Sequence, residues 1–224
     1  MTQDAGRTIY IDGQWRPADA GATFAVSDPA TGEVIGQAAD GGRADTAAAI
    51  AAADRALPGW SATTAYERAA VLARADALMR ERRAELAALM TREQGKPLKA
   101  SMNEVAYAAD FLAWFAEEAK RIGGVTIPSA RADQRFLTMR QPVGVVAAIT
   151  PWNYPISMLT RKLAPAIAAG CTSVLKPADQ TPLCAVATVQ LLADAGVPSG
   201  VVNMVTTTRA AEVGDALLES PVVR

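Results

Sequence analysis

The sequence predicts an α/β fold built around parallel βαβ units. Its last third alternates short, continuously apolar runs with helical segments, two of which end at glycine. Such runs are typical of strands that helices cover on both faces, and a strand, helix, strand order gives a parallel pair with a right-handed crossover. The chain has 224 residues, half of them hydrophobic, which is enough to bury a sizeable core.

Residues 1–122 are expected to add strands and helices to the same domain. The segments "TIYIDGQW" and "FAVSDPATGEVIGQA" alternate around Asp-Gly and Thr-Gly turns, which predicts edge strands or hairpins. Apolar residues near helical spacing predict helices over Asp45–Leu57, Tyr66–Arg92 and Ser101–Ile122. Pro58-Gly59 should stop the first of these helices, and Gly123-Gly124 the last.

Residues 123–143 differ in composition, with two prolines and the alternating piece "RFLTMRQ", so we expect an extended arm there. Residues 144–224 then carry the βαβ part of the domain. The apolar runs cover Gly144–Thr150, Thr172–Lys176 and Val201–Thr206, and the helical segments cover Ile156–Ala169, Pro182–Ala195 and Ala210–Leu218.

Charge and cysteine content narrow the class of function. With 22 basic against 23 acidic side chains and no block of like charge, neither nucleic acid nor a membrane is an evident partner, and a small molecule is favoured. The chain has no histidine, and Cys171 and Cys184 lack CxxC spacing, so we predict no metal site and no histidine-dependent triad. Without a signal-peptide or membrane-span pattern, the protein is expected to be cytoplasmic.

A polar cluster, "KPADQTP", follows the second strand of the predicted βαβ unit. In open parallel sheets, ligands bind beyond the carboxyl ends of the strands, and an acid just past the second strand can accept hydrogen bonds from ribose hydroxyls. Asp179 lies at that place, and Lys176 supplies a positive donor beside it. The alternative is that Asp179 caps the helix that opens nearby and that Lys176 is solvated.

The first strand ends in "TPWNYP", which has no G-x-G-x-x-G and loses two backbone donors to proline. A pyrophosphate cannot be cradled there in the usual way. A stiff turn can instead present the Asn153 carboxamide, a neutral donor able to stabilise an oxyanion. The alternatives are that Asn153 caps a helix or fills a turn, with Pro155 near the first helical position, and that Trp152 is a packing residue and not a ligand contact.

Several motifs occur in one order along the chain: "YIDGQW", "DPATGEVIG", "EQGKPLKAS", "QPVGVVAAITPWNYP", "KPADQTP" and "VPSGVVNMVT". In this order they resemble the NAD(P)-dependent aldehyde dehydrogenase superfamily, and most of all its succinate-semialdehyde dehydrogenase branch. The resemblance implies a Rossmann-like dinucleotide-binding domain, with the arm over 123–143 acting in oligomerisation. It also implies that the chain is the N-terminal part only and that the catalytic domain, with the catalytic cysteine and glutamate, is missing.

The resemblance assigns roles to the strand-end residues. Asn153 would donate to the substrate oxygen, while Lys176 and Asp179 would bind the adenosine ribose. Asp179 favours NAD, with NADP as the alternative, because an acid repels a 2′-phosphate. The nicotinamide side of the cleft would be lined by Ile149, Thr150, Pro151 and Trp152.

Arg161 matches the arginine that binds the substrate carboxylate in the succinate-semialdehyde branch, and its alternative role is that of an ordinary exposed helix residue. The implied function is oxidation of an aldehyde, such as succinate semialdehyde, by a homo-oligomer. Two other hypotheses remain. The chain could be a non-catalytic remnant that binds a dinucleotide or another subunit, or it could be a partial fold that is prone to aggregation.

Overall fold

The computed structural model describes residues 6–224, which form a main sheet with a layer of helices on each face. The strands are β1 (Ile9–Ile11), β2 (Gln14–Arg16), β3 (Thr23–Ser27), β4 (Val34–Ala39), β5 (Thr126–Ile127), β6 (Phe136–Leu137), β7 (Val145–Ile149), β8 (Thr172–Lys176) and β9 (Val202–Met204). The helices are α1 (Arg43–Ser61), α2 (Ala65–Glu81), α3 (Arg83–Gln94), α4 (Leu98–Ala119), α5 (Ser157–Ala169), α6 (Pro182–Asp194) and α7 (Ala210–Leu218).

The main sheet has the strand order β2-β1-β9-β8-β7, in which β7, β8 and β9 are parallel, as the alternating pattern predicts. The β1–β2 hairpin extends the sheet beyond β9 in the antiparallel direction. Asp12 and Gly13 form its two-residue loop, and both have the positive φ that a type I′ hairpin turn requires. The predicted hairpin therefore lies at one edge of the sheet.

Both faces of the sheet are covered. Adjacent residues of β8 point to opposite sides, so that Val174 packs with α1 and α7 while Leu175 packs in the larger core with α2 to α6. Every residue of β8 is buried. Its two hydroxyl side chains, Thr172 and Ser173, donate to the backbone carbonyls of Ala53 and Val201, so their burial leaves no hydrogen bond unmade.

Helices α5 and α6, which follow the parallel strands, have both of their ends bound by side chains from other helices. Arg68 and Arg74 of α2 donate to carbonyl groups at the C-terminal ends of α5 and α6, at 2.9 and 2.8 Å. Glu104 of α4 and Glu93 of α3 accept backbone N–H groups at the two N-terminal ends. Each charge has the sign that the helix dipole favours, so the α2 to α4 layer fixes the orientation of both crossover helices.

Several helix boundaries differ from the prediction. Helix α4 covers Leu98–Ala119 and ends with Lys120 as its C-cap, before the predicted stop at Gly123-Gly124. The first helix does not stop at Pro58-Gly59 but continues to Ser61. Burial of Trp60 in the main core stabilises this additional turn. The predicted single helix over Tyr66–Arg92 is two helices that meet at Arg82, whose backbone leaves the helical region and whose side chain pairs with Asp194. Helical periodicity survives such a break, so the pattern alone could not locate it.

The arm over residues 123–143 contains a two-stranded ribbon, β5 and β6. Its apolar side chains are exposed, among them Val125, Ile127, Phe136, Leu137 and Met139. Among residues 6–224, no helix has both the length and the apolar character that crossing a membrane requires.

Candidate active site

The carboxyl ends of β7 and β8 bring several of the predicted site residues to one edge of the sheet. Ile149 lies directly opposite Lys176 in the parallel register, and the Thr150 N–H donates to the Lys176 carbonyl at 3.1 Å. Ile149 is half exposed, whereas Thr150 is buried. The two strand-end loops therefore leave the sheet side by side.

Asn153 lies in the exposed turn after β7, between Pro151 and Pro155. Its carboxamide forms no hydrogen bond with another residue of the described chain, so its donor group is uncommitted. The helix cap is Ile156, three residues further on, so the interpretation of Asn153 as a helix cap is wrong. Trp152 is 53% exposed, so it does not lie in the core.

Lys176 is only 6% exposed, although it ends its strand at a sheet edge, so the alternative of a solvated lysine is wrong. Its Nζ donates to the Pro177 carbonyl at 3.1 Å. Burial lowers the pKa of Lys176, and the nearby Asp179 carboxylate acts in the opposite direction. The ammonium group carries three N–H donors, and the bond to Pro177 uses one of them.

Asp179 is half-buried and does not cap α6, contrary to the alternative interpretation. The amides of Leu183 and Cys184 at the start of α6 instead donate to the two carboxylate oxygens of Glu93, at 2.5 and 2.8 Å. Asp179 thus remains an acceptor beside Lys176.

Glu93 is almost completely buried, and burial raises its pKa to about 7, although the hydrogen bonds from Cys184 and Leu183 act in the opposite direction. Burial and this neighbouring glutamate in turn raise the pKa of the Cys184 thiol well above its ordinary range. Cys171 is also buried. Neither cysteine therefore offers an accessible thiolate to the cleft.

The N-terminal ends of α5 and α6 follow strands of a dinucleotide-type sheet, where such folds commonly bind phosphate. In this chain both ends are already occupied by protein carboxylates, Glu104 at α5 and Glu93 at α6. The N–H groups at these two ends are therefore not free to bind a second anion. A nucleotide at this edge would therefore have to bind with a geometry other than that of the G-x-G-x-x-G motif, which this chain lacks.

Arg161 lies on the exposed side of α5. Its guanidinium donates to the Tyr107 hydroxyl at 2.7 Å and lies 4.9 Å from the centre of the Phe111 ring, both on α4. Arg161 and Tyr107 border an open pocket of about 510 Å³ that Tyr154, beside Asn153, also lines. The structure therefore brings Arg161 to a pocket next to the strand-end turn.

Sequence reasoning missed the side chains that surround this site from α3 and α4. Tyr107 and Phe111 are one helical turn apart, a spacing that was visible but is equally typical of core residues. Lys96 and Glu104, which contact the Asn153 turn, lie in the motif "EQGKPLKAS" or just after it. Nothing in that motif indicates which distant loop it meets.

Residues 15–224 match the family model described as "Aldehyde dehydrogenase family". The chain is 56% identical over 215 residues to a glutarate-semialdehyde dehydrogenase of Pseudomonas putida, which covers 96% of this chain and 45% of that protein. It is 53% identical over 214 residues to an NADP(+) succinate-semialdehyde dehydrogenase of Escherichia coli, with 96% and 44% covered.

Solved structures agree with the sequence comparison. The crystal structure of an NADP dependent enzyme of E. coli superposes with a TM-score of 0.96 at 52% sequence identity, covering 97% of this chain and 45% of that one. The chain thus spans less than half the length of these relatives.

Proposed function

This chain belongs to the aldehyde dehydrogenase family, and we propose that it forms the cofactor-side half of a cytoplasmic enzyme that oxidises an acidic semialdehyde with NAD. One observation carries the proposal. Asn153, whose carboxamide is uncommitted, follows β7, and the buried Lys176 ends β8. Because β7 and β8 are neighbouring parallel strands, both residues lie at the same edge of the sheet. Ligands of open parallel sheets bind at such an edge.

In this proposal, Asn153 donates to the aldehyde oxygen as that oxygen gains negative charge, which is the role of an oxyanion donor. A bound nicotinamide dinucleotide would supply the acceptor for the hydride that leaves the aldehyde carbon. Cys171 and Cys184 are buried, so the nucleophile has to come from outside the part of the chain described here.

The cofactor-binding role falls to Lys176, Asp179 and the four residues Ile149 to Trp152. Lys176 fits a ribose because its remaining N–H groups lie beside an acceptor carboxylate, and sugar hydroxyls both donate and accept. Asp179 supports NAD over NADP, because a 2′-phosphate would meet its negative charge.

Calorimetric titration of the 224-residue chain tests the cofactor proposal. NAD is expected to bind more tightly than NADP, and Asp179→Asn should narrow that difference, whereas Lys176→Met should weaken both. Glu85→Gln, which changes an exposed glutamate of α3, is the matched control. A preference of more than about tenfold for NADP, corresponding to about 1.4 kcal/mol, would contradict the assignment of Asp179.

The proposed substrate carries a carboxylate in addition to its aldehyde group, and Arg161 is the residue that binds this carboxylate. Its guanidinium is exposed, lies at an open pocket beside the Asn153 turn and is oriented by a neutral phenol, so its charge is not neutralised by a carboxylate. The named relatives act on glutarate and succinate semialdehydes, both of which end in a carboxylate.

A completed enzyme allows the substrate role to be measured. We define it as residues 1–224 joined to the part of the P. putida glutarate-semialdehyde dehydrogenase that follows the matched region. Arg161→Leu is expected to raise KM for a carboxylate-bearing aldehyde about tenfold or more and to spare a neutral aldehyde of the same length. Arg92→Leu, which changes an exposed arginine in the last turn of α3, is the control. Equal effects on both aldehydes would refute this role.

Oligomer formation is assigned to the arm over 123–143. Ile127, Phe136 and Leu137 expose apolar surface on a short ribbon with an open edge, which supports contact with another copy of the chain.

A further inference from the structure

The turn that carries Asn153 is held by residues from the junction between α3 and α4. Gly95 ends α3 with a left-handed φ of 77°, and Pro97 caps α4, so that Lys96 lies in a tight connection between two helices. Lys96 Nζ donates to the Asn153 backbone carbonyl at 2.9 Å, and Gln94 Nε2 reaches the same oxygen at 3.3 Å.

Lys96 makes two further contacts with the same region. Its ammonium pairs with Glu104 and lies 4.2 Å from the centre of the Tyr154 ring. The Lys96 side chain is 13% exposed and that of Glu104 is 1% exposed, so the pair is largely removed from water. Buried pairs of this kind are expensive to break, because one charge is left without its partner.

Glu104 extends this contact to the other end of the turn. Its Oε1 accepts the backbone N–H groups of Ile156 and Ser157, at 3.1 and 3.2 Å, where α5 begins. One ion pair therefore binds the turn before and after Tyr154, through the Asn153 carbonyl on one side and the first amides of α5 on the other.

The turn needs such external anchors. Pro151 and Pro155 cannot donate backbone hydrogen bonds, and the Asn153 side chain binds no other residue of the described chain. A catalytic donor is effective only when its position is fixed to within about 0.5 Å and its direction to within about 10–20°. In this turn, contacts to the backbone have to fix the donor.

We propose that Lys96 is a positioning residue for Asn153: it fixes the backbone of the turn and thereby the direction of the carboxamide toward the reacting oxygen. The inference rests on the proposed function, because it gives Asn153 the role of oxyanion donor. If Lys96 contributed stability alone, its loss would lower the melting temperature without acting through Asn153.

Nuclear magnetic resonance of the ¹⁵N-labelled 224-residue chain tests the contact directly. Lys96→Met is expected to shift and broaden the side-chain amide signals of Asn153. Lys99→Met, which removes an exposed lysine three residues further on, should leave them unchanged. The double variant Lys96→Met/Glu104→Gln removes both charges of this pair and keeps an acceptor for the α5 amides, so it should repeat the shift in a folded protein.

The unmodified chain supplies a measurement that is independent of how any variant folds. The Lys96 ammonium protons should exchange with water more slowly than those of Lys99. Equal exchange rates, or Asn153 signals that do not change in the folded variants, would overturn the proposal.

A double-mutant cycle in the completed enzyme tests the role in catalysis. Asn153→Ala is expected to lower kcat about 100-fold or more, as loss of an oxyanion donor does. Lys96→Met should lower kcat about tenfold and change the KM for the aldehyde less than about twofold. In a protein that already carries Asn153→Ala, Lys96→Met should change kcat less than about twofold. Lys96→Arg, which keeps the cation and its donors, should recover most of the loss.

The outcomes separate the two proposals. If Asn153→Ala leaves kcat unchanged, the proposed function of Asn153 fails, and the resonance data still decide whether Lys96 fixes the turn. If Asn153→Ala lowers kcat but the effect of Lys96→Met is fully additive with it, the positioning role fails while the oxyanion role stands.

Discussion

Glu93 gives the most direct test of how this fold depends on its internal helix caps. The carboxylate is 2% exposed and accepts N–H groups of Leu183 and Cys184 at the start of α6. Because burial raises its pKa to about 7, the folded chain retains a proton on Glu93 in a pH range where the unfolded chain has released it. The substitution Glu93→Gln removes this titration and keeps the size of the side chain.

The magnitude follows from the pKa of the two states. Moving the pKa of Glu93 from its ordinary 4.5 to about 7 corresponds to about 3 kcal/mol, since each pH unit is worth about 1.4 kcal/mol. A raised folded-state pKa stabilises the fold fully below the unfolded-state pKa, and this stabilisation is lost as the pH rises through the folded-state value. The stability of the unmodified chain relative to Glu93→Gln should therefore fall by about 3 kcal/mol between pH 4 and pH 8.

The assay is urea unfolding at constant ionic strength at several pH values, followed by tryptophan fluorescence. The difference between the two proteins should decline most steeply between about pH 4.5 and 7 and level off above that range. Glu85→Gln, on the exposed face of the same helix, controls for the change in net charge. A difference that is independent of pH, or that grows as the pH rises, would refute the reasoning.

Three other substitutions test the interactions that position the helices. Arg68→Met removes the donor to the Ala168 carbonyl at 2.9 Å and should cost about 2 kcal/mol by calorimetry; an unchanged melting temperature would contradict the capping role. Thr64→Ala removes the N-cap of α2 and should cost about 1 kcal/mol in urea unfolding, and no loss would mean that the capping box is dispensable. Gly200→Ala should cost about 2 kcal/mol or more in the same assay, because φ is 78° and a Cβ would lie 2.9 Å from a backbone carbonyl oxygen. Gly214→Ala, which meets open space within a helix, should be neutral or stabilising, and an equal loss at both glycines would argue against strain.

The βαβ part of the fold was predictable because the signals are local. The apolar run that becomes β7 and the glycine that ends α5 each report on their own segment. Placement of Ile149 beside Lys176 followed as well, because the carboxyl ends of adjacent parallel strands share one edge. The break at Arg82 and the extra turn at Trp60 were missed because they depend on which distant side chains pair with or bury those residues.

Helical periodicity could not predict the roles of Glu93 and Lys96, because their partners are distant in the sequence. Glu93 meets Cys184 across 91 residues, and Lys96 meets Asn153 across 57. In the sequence, both are charged residues at the end of a helix, a place where solvated side chains are the commonest outcome.

By itself, the sequence determined the strand and helix order, the rigid turn around Asn153 and the family to which its motifs belong, since these depend on local backbone preference and on residue identity. The packed chain decided which buried charges terminate α5 and α6 and which ammonium group holds the Asn153 carbonyl. Such pairings depend on the angles at which helices cross, and those angles arise only when all the apolar faces are buried together.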